Sequence, residues 1–285
     1  MTISYNMKHL LLAISLLLAL PGSLMASPFP KTSYEVLGNR NPRSCPGAAL
    51  FVLVDQSVNY DEALKAKAME LVRNWTAEGR AVEIYSFSSA LPGRYTTRIT
   101  GGRFDDQPSD EYLDNLKRSD RERFISLHSC QPLIARKAVR LSLQEAFAGS
   151  RNEIQRTDIV RTMKEMSDYI RTYPAGTKSI LLVSDMMENS SMASFYFKGR
   201  TRLIDPVREM QKFTARQMTG NFGGKVRVYI LGLGFYGNDA SPAKSEQYLD
   251  VDRINAIAAF WRSWFRNSGA YVVETGKPMM FGIIH

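Results

Sequence analysis

The sequence predicts a single α/β domain built on a doubly wound, mostly parallel central sheet with helices on both faces. Short apolar runs rich in Val, Ile, Leu and aromatic residues recur along the chain, and amphipathic stretches with helical spacing separate them. Strands joined by single helices imply right-handed crossovers and therefore parallel neighbours. A further observation concerns polarity: one apolar run ends directly in aspartate and another in Ser-Asp.

The elements follow in order. Of the 285 residues, 44% are hydrophobic and 23% charged, which excludes a disordered or fibrous chain. Lys8 and His9 lead into an apolar run over residues 10–20, Pro21-Gly22 breaks it, and Ala26 offers a small residue at a cut. That order reads as a signal peptide over residues 1–26. A permanent anchor is the alternative, but the run is shorter than the roughly 20 apolar residues of a spanning helix. The expectation is a periplasmic or secreted protein with no stable membrane insertion after cleavage.

Residues 27–45, polar and rich in Pro, Asn and Arg, read as an extended lead-in, residues 46–275 as the domain and residues 276–285 as a C-terminal tail. In an oxidising compartment the two cysteines, Cys45 and Cys130, are expected to form a disulfide, the alternative being two separate thiols.

Within the domain, residues 51–54, 82–87, 180–183, 226–231 and 270–273 read as buried strands. Leu64, Ala68, Leu71, Val72 and Trp75 share one helix face; Ile159, Val160, Met163, Met166 and Ile170 repeat the spacing, as do Ile254, Ile257, Ala258, Trp261 and Phe265. Between the second and third runs, residues 95–99 suggest a short edge strand. The charged stretch 105–123 suggests surface helix and loop, and residues 133–148 another amphipathic helix.

In open α/β sheets, ligands sit beyond the carboxyl ends of strands, where the strand order reverses. Run 51–54 leads into Asp55-Gln56-Ser57-Val58-Asn59, and run 180–183 into Ser184-Asp185. If those strands are neighbours, Asp55 and Asp185 stand side by side, and two close carboxylates repel unless a cation or proton intervenes. Ser57 and Asn59 follow Asp55 at alternate positions, and Thr157-Asp158 opens a helix on a third loop. Five oxygen ligands, Asp55, Ser57, Asn59, Thr157 and Asp185, suit a hard divalent cation completed by water; Mg²⁺ fits best, with Ca²⁺ and Mn²⁺ open. The plainer alternative is that these residues cap helices and stabilise turns.

This constellation resembles the metal-ion-dependent adhesion site (MIDAS) of the von Willebrand factor A (vWA) domains. That site reads Asp-x-Ser-x-Ser after the first strand, Thr in a middle loop and Asp after the fourth strand. Asp55, Ser57, Thr157 and Asp185 match; Asn59 stands where Ser is expected, with an amide oxygen that can still ligate. The resemblance spans roughly residues 49–273. It implies a domain that is not an enzyme and binds another protein, whose carboxylate completes the coordination of the ion. The alternatives are a metal-free structural domain with a decayed site and, further off, a metal-dependent hydrolase using Asp55 and Asp185, for which no general base stands out.

Other chemistries are poorly provided for. Three His and two Cys leave too few ligands for zinc catalysis, and His128 has no nucleophile elbow near it. An aspartyl phosphotransferase needs an acid where Ser57 stands. Gly232-Leu233-Gly234-Phe235-Tyr236-Gly237 follows a late strand with no helix directly after it, so it reads as a loop bordering the site rather than a nucleotide cradle. After Asp185, Met187, Phe195, Tyr196 and Phe197 suggest an adaptable partner-binding surface, or else residues packed under a long loop. The net charge of +9 favours a protein partner offering an acidic side chain. Basic residues without interleaved stacking aromatics give no reason to expect nucleic acid.

Overall fold

A computed structural model describes residues 28–39, 41, 43–88, 96–150, 157–198, 200–235, 249–276 and 279–285. The elements in chain order are α1 (Ser33–Val36), β1 (Ala48–Asp55), α2 (Glu62–Trp75), β2 (Arg80–Phe87), β3 (Thr96–Arg103), α3 (Asp110–Asp114), α4 (Arg118–Ala148) and α5 (Ile159–Thr172). They continue with β4 (Thr177–Val183), β5 (Tyr196–Phe197), β6 (Arg200–Thr201), α6 (Pro206–Ala215), β7 (Val226–Leu231), α7 (Val251–Asn267) and β8 (Ala270–Thr275).

Six strands form one sheet in the order β3-β2-β1-β4-β7-β8, parallel throughout except for β3, which runs antiparallel to β2 at one edge. The predicted doubly wound α/β architecture is the one observed. β1 is apolar up to its last residue, Asp55, because both its faces are covered. Phe51 and Leu53 enter one core with residues of α5, α6 and α7; Leu50, Val52 and Val54 enter the other with residues of α2 and α4. Complete burial of such side chains contributes about 1.5–3 kcal/mol each. Asp61, Asp158, Asp205 and Asp250 each accept from backbone N–H groups at the start of α2, α5, α6 and α7, satisfying donors that a helix leaves unpaired.

The sequence reading is refined at several places. The edge strand covers Thr96–Arg103, longer than expected at its far end, while Tyr95 lies outside the described residues, as does the predicted signal peptide over 1–26. The helix expected from residue 133 begins at Arg118 and passes through Pro132. Its first half is anchored by Phe124, which is fully buried against Tyr34 and Tyr112.

The lead-in is not extended throughout. It contains α1, closed by a capping box between Thr32 and Glu35 and pinned by Ser33, whose N–H and hydroxyl both donate to the buried Asp105 carboxylate. The tail also belongs to the packed body: Met280 and Ile284 enter the core on the α2/α4 side, and the His285 carbonyl accepts from Ser179 Oγ at 2.8 Å.

The expected disulfide is absent: Cys45 and Cys130 are free, exposed thiols. The rotation of α4 explains the exposure of Cys130. Gln131 faces inward, its amide accepting from Asp105 N–H and donating to the Arg103 carbonyl, and this turns the preceding residue outward.

Candidate metal centre

Strand order places the candidate site. From β1 the chain winds outward in one direction through β2 and β3, and in the other through β4, β7 and β8, so the order reverses between β1 and β4. Asp55 is the last residue of β1, and in the parallel register Val54 lies opposite Val183, the last residue of β4. The carboxyl ends of these two strands therefore put Asp55 beside Ser184 and Asp185 at the switch point.

The Asp55 carboxylate is wholly enclosed. Its Oδ1 accepts from Ser57 N–H at 2.9 Å and Ser57 Oγ at 2.6 Å, which folds the turn after β1 back over the strand tip; its Oδ2 accepts from Ser184 Oγ at 2.9 Å. Ser184 Oγ also accepts from Met186 N–H at 2.9 Å, so one hydroxyl ties the two loops together. Asp185 Oδ1 accepts from Met187 N–H at 2.9 Å.

Between Asp185 and Met187, Met186 takes a left-handed backbone with φ of 63°, a conformation that costs a non-glycine residue energy and persists only where its surroundings impose it. Here the imposing contacts are the Ser184 hydroxyl and Trp261 Nε1, which donates to the Met186 carbonyl at 2.9 Å. The loop after β7 borders the site as expected, with Gly234 N–H donating to the Asp185 carbonyl. Gly232, at φ 97°, lets that loop pass close to Ser184.

The third loop is stitched to the same edge. Thr157 N–H donates to the Asn189 carbonyl at 3.2 Å, and Asn189 N–H donates back to Thr157 at 2.9 Å. Thr157 itself is buried. Glu188, also enclosed, accepts from the N–H groups of Ile159 and Val160 at 2.9 and 3.1 Å, holding the first turn of α5 against the segment that leaves β4. Asn59 is half-buried in the turn two residues past Ser57. That turn is closed by the Ser57 bonds and by Tyr60, whose hydroxyl donates to the Val183 carbonyl at 2.9 Å.

Electrostatically the edge is under stress. Burial pushes the Asp55 carboxyl up to about 6 against the pull of the Ser57 and Ser184 hydrogen bonds. Burial first and the Asp55 charge second push Asp185 well above the usual carboxylate range. Burial and then the two aspartates raise the Tyr60 hydroxyl. Neither aspartate forms an ion pair among the described residues, so two enclosed carboxylates that feel each other's charge have no compensating positive side chain. Asp185 keeps 8% of its surface and Asp55 none, so access to the pair is from the Asp185 side.

Among the described residues no three of His, Cys, Asp and Glu converge as ligands. The donors at this edge are instead carboxylate, hydroxyl and amide oxygens, a set suited to a hard cation that keeps part of its water. The residues thus fit Mg²⁺ in donor chemistry and in unbalanced charge.

The proposed partner-binding residues separate. Phe195 is fully buried, packed edge to face on Phe260 with centroids 5.3 Å apart, and Met187 is 4% exposed; both are core residues and are closed to a partner. Tyr196 is half-buried, while Phe197 is 65% exposed with the Lys198 ammonium 5.5 Å from its ring centroid. Tyr196 and Phe197, adjacent on β5, turn to opposite sides because successive strand residues alternate, while Phe195 lies before the strand and is turned inward by its own packing.

Sequence reasoning missed Ser184 as the link between loops, Tyr60 as the brace beneath them and Glu188 as the clasp on α5. The only signal for Ser184 was its place at the end of an apolar run, and Glu188 had none.

No family model matches the chain. No curated protein matches it either. Among solved structures it is similar to an aerotolerance-related membrane protein from Bacteroides fragilis, at 12% identity and a TM-score of 0.35, over 81% of this chain and 92% of that one. It is similar to the conserved hypothetical protein BatB from Bacteroides thetaiotaomicron at 10% identity and a TM-score of 0.34, with the same coverage. A third likeness is to the TFIIH p34 N-terminal domain, at 10% identity and a TM-score of 0.28, over 65% of this chain and 81% of that one. These likenesses are too slight to carry an activity or a partner across, and the fold stands on the strand order of this chain.

Proposed function

We propose that this protein is a vWA-type interaction domain, not an enzyme, that binds another protein through a divalent cation, Mg²⁺ before Ca²⁺ or Mn²⁺. Asp55, Ser57, Asn59, Thr157 and Asp185 are the residues that would hold the ion. The observation that carries the reading is the unbalanced pair of enclosed carboxylates, Asp55 and Asp185, at the point where the strand order reverses. A bound cation would offset the repulsion and supply a positive centre that an acidic side chain of the partner completes. The chain's own residues fix the geometry: Ser184 couples the β1 and β4 loops, and Glu188 and the Thr157–Asn189 bridge hold the third loop to them. From the N-terminal order of charge, apolar run and small residue, we infer that the domain works in the periplasm or outside the cell. Among the described residues no helix is long and apolar enough to cross a membrane.

A second reading has an observation of its own. Asp55 Oδ1 and Asp185 Oδ1 already accept hydrogen bonds from their own loops, and Asp55 Oδ2 from Ser184 on the neighbouring loop, as they would in a metal-free domain whose carboxylates only shape turns. Isothermal titration with Mg²⁺, Ca²⁺ and Mn²⁺, beside an Asp55→Ala, Asp185→Ala double variant, separates the two. Saturable binding lost in the folded variant supports the ion site, and no binding to the wild type sinks it.

A further inference from the structure

On the α5/α6/α7 side of the sheet, α6 and α7 pack against each other. Both lead from the carboxyl edge of the sheet toward the amino ends of the strands they precede, so they lie side by side in the same direction. Between them is an open groove of about 740 Å³, in which Pro206, Val207 and Met210 of α6 face Ala259 and Ser263 of α7, with Arg266 near the far end. The apolar surface does not stop there. Val207 is 66% exposed, Leu203 just before α6 is 59% exposed, and Phe197 at the tip of the β5–β6 hairpin is 65% exposed. Three large apolar side chains within eleven residues are each more than half in water, and one of them, Val207, lines the groove itself, exposure of the kind that marks an interaction site.

The charge around this patch is one-sided. Residues 198–216 contain six basic side chains and two acidic ones. Both acids are engaged internally. Asp205 caps α6 and lies 3.4 Å from Arg208, and the buried Glu209 is held between Arg202 at 2.7 Å and Lys212 at 2.9 Å. Lys198, Arg200, Arg216 and, across the groove, Arg266 have no carboxylate partner among the described residues. An occupant must therefore bring both an apolar stripe and negative charge.

We propose that the α6/α7 groove is a docking site for an acidic amphipathic helix of a partner protein. The helix would lay its apolar stripe along Val207 and Met210 while its acidic flanks meet Arg266, Arg216 and the hairpin cations. Two adjacent helices present a furrow that the ridge of a third can fill, whereas a flat anionic surface would reach the rim and leave the concave floor empty. The site lies on the flank of the sheet, apart from Asp55 and Asp185, and needs no ion.

The test uses the purified protein in EDTA. The probe is a labelled 18-residue helical peptide with leucines at i, i+3, i+4 and i+7 spacing and glutamates elsewhere, read by fluorescence anisotropy. The expected result is saturable binding, weakened at least tenfold by Val207→Asp and by Arg266→Glu. Both positions are exposed on folded helices, and circular dichroism checks that the fold persists. Equal binding of a peptide with the same composition in scrambled order would overturn the proposal, because charge alone would then suffice. So would an unchanged affinity in Val207→Asp, an absence of binding, or capture by phosphatidylglycerol vesicles without capture by the peptide. Self-association in sedimentation that Val207→Asp abolishes would assign the groove to a second copy and likewise overturn it. Because EDTA is present throughout, a failed ion site leaves this outcome untouched, and the reverse holds as well.

Discussion

Replacing Asp55 with asparagine should make the metal-free protein more stable, although it removes a buried group that accepts three hydrogen bonds. Burial raises this carboxyl from 3.8 to about 6, and at about 1.4 kcal/mol per pKa unit that corresponds to roughly 3 kcal/mol of cost for carrying the charge in the folded state. The sign follows from the direction. An acid whose folded pKa lies above its unfolded value loses stability as pH rises from about 4 through about 6, and above that range the whole cost is present. Asparagine keeps one oxygen for the Ser57 N–H and hydroxyl. Ser184 Oγ, which already accepts from Met186 N–H, can turn to accept from the new amide. The loss of a charge-assisted bond offsets about 1.5 kcal/mol, leaving a net gain of about 1.5 kcal/mol at pH 8.

Urea unfolding in EDTA measures this directly. The gain should fade to nothing below about pH 3, where the wild-type carboxyl is protonated in both states. Mg²⁺ at ten times its dissociation constant should stabilise the wild type by about 1.4 kcal/mol and Asp55→Asn not at all. If Asp55→Asn is destabilised by 1 kcal/mol or more at pH 8 in EDTA, the carboxylate is a turn-shaping acceptor and the electrostatic argument for an ion fails.

Three further outcomes are expected. Burial, above all, raises the Glu188 carboxyl to about 8. Its contribution to stability is therefore intact at low pH and declines between about 4.5 and 8, by up to about 1.4 kcal/mol per pH unit. Glu188→Gln, which retains an acceptor for Ile159 and Val160, should flatten that decline, and parallel midpoints for variant and wild type from pH 5 to 8 would refute the assignment. Phe195→Ala should cost about 3–5 kcal/mol in chemical unfolding while Phe197→Ala stays within about 0.5 kcal/mol; similar losses at both positions would contradict the opposite exposures of the two rings. Ellman's reagent should modify both Cys45 and Cys130 in the native protein without denaturant, and a protein purified without reductant that releases no thiol signal until reduced would show that the two are paired after all.

How much of this was legible beforehand depends on the range of the interaction. The strand runs 51–54, 82–87, 180–183, 226–231 and 270–273 each lie within an observed strand; the central runs of β1 and β4 are unbroken because both their faces are covered, whereas 270–273, expected to be buried, lies on the edge strand β8 with Tyr271 and Val273 each 48% exposed. The helix faces were equally visible, since Ile159, Val160, Met163, Met166 and Ile170 carry their periodicity locally and all are buried. Even the juxtaposition of Asp55 and Asp185 was within reach, because both end apolar runs and only the adjacency of β1 and β4 had to be supplied.

The tertiary structure decided what depends on rotation and register. Phe195 and Phe197 have the same chemistry two positions apart, yet one packs on Phe260 and the other stands in water. Phe195 is held inward by its N–H bond to the Glu188 carbonyl and its packing on Phe260, neither of which its own local composition announces. Cys130 faces outward because Gln131 found Asp105 and Arg103 inside. Ser184 joins the two carboxylate loops because the parallel register of β1 and β4 sets its hydroxyl against Asp55. Glu188 closes on α5 from 28 and 29 residues away. Local patterns report which way a residue prefers to face within its own element; which residue of a distant element it meets there is settled only when strands and helices are docked, since the free energy that fixes those contacts belongs to the pair.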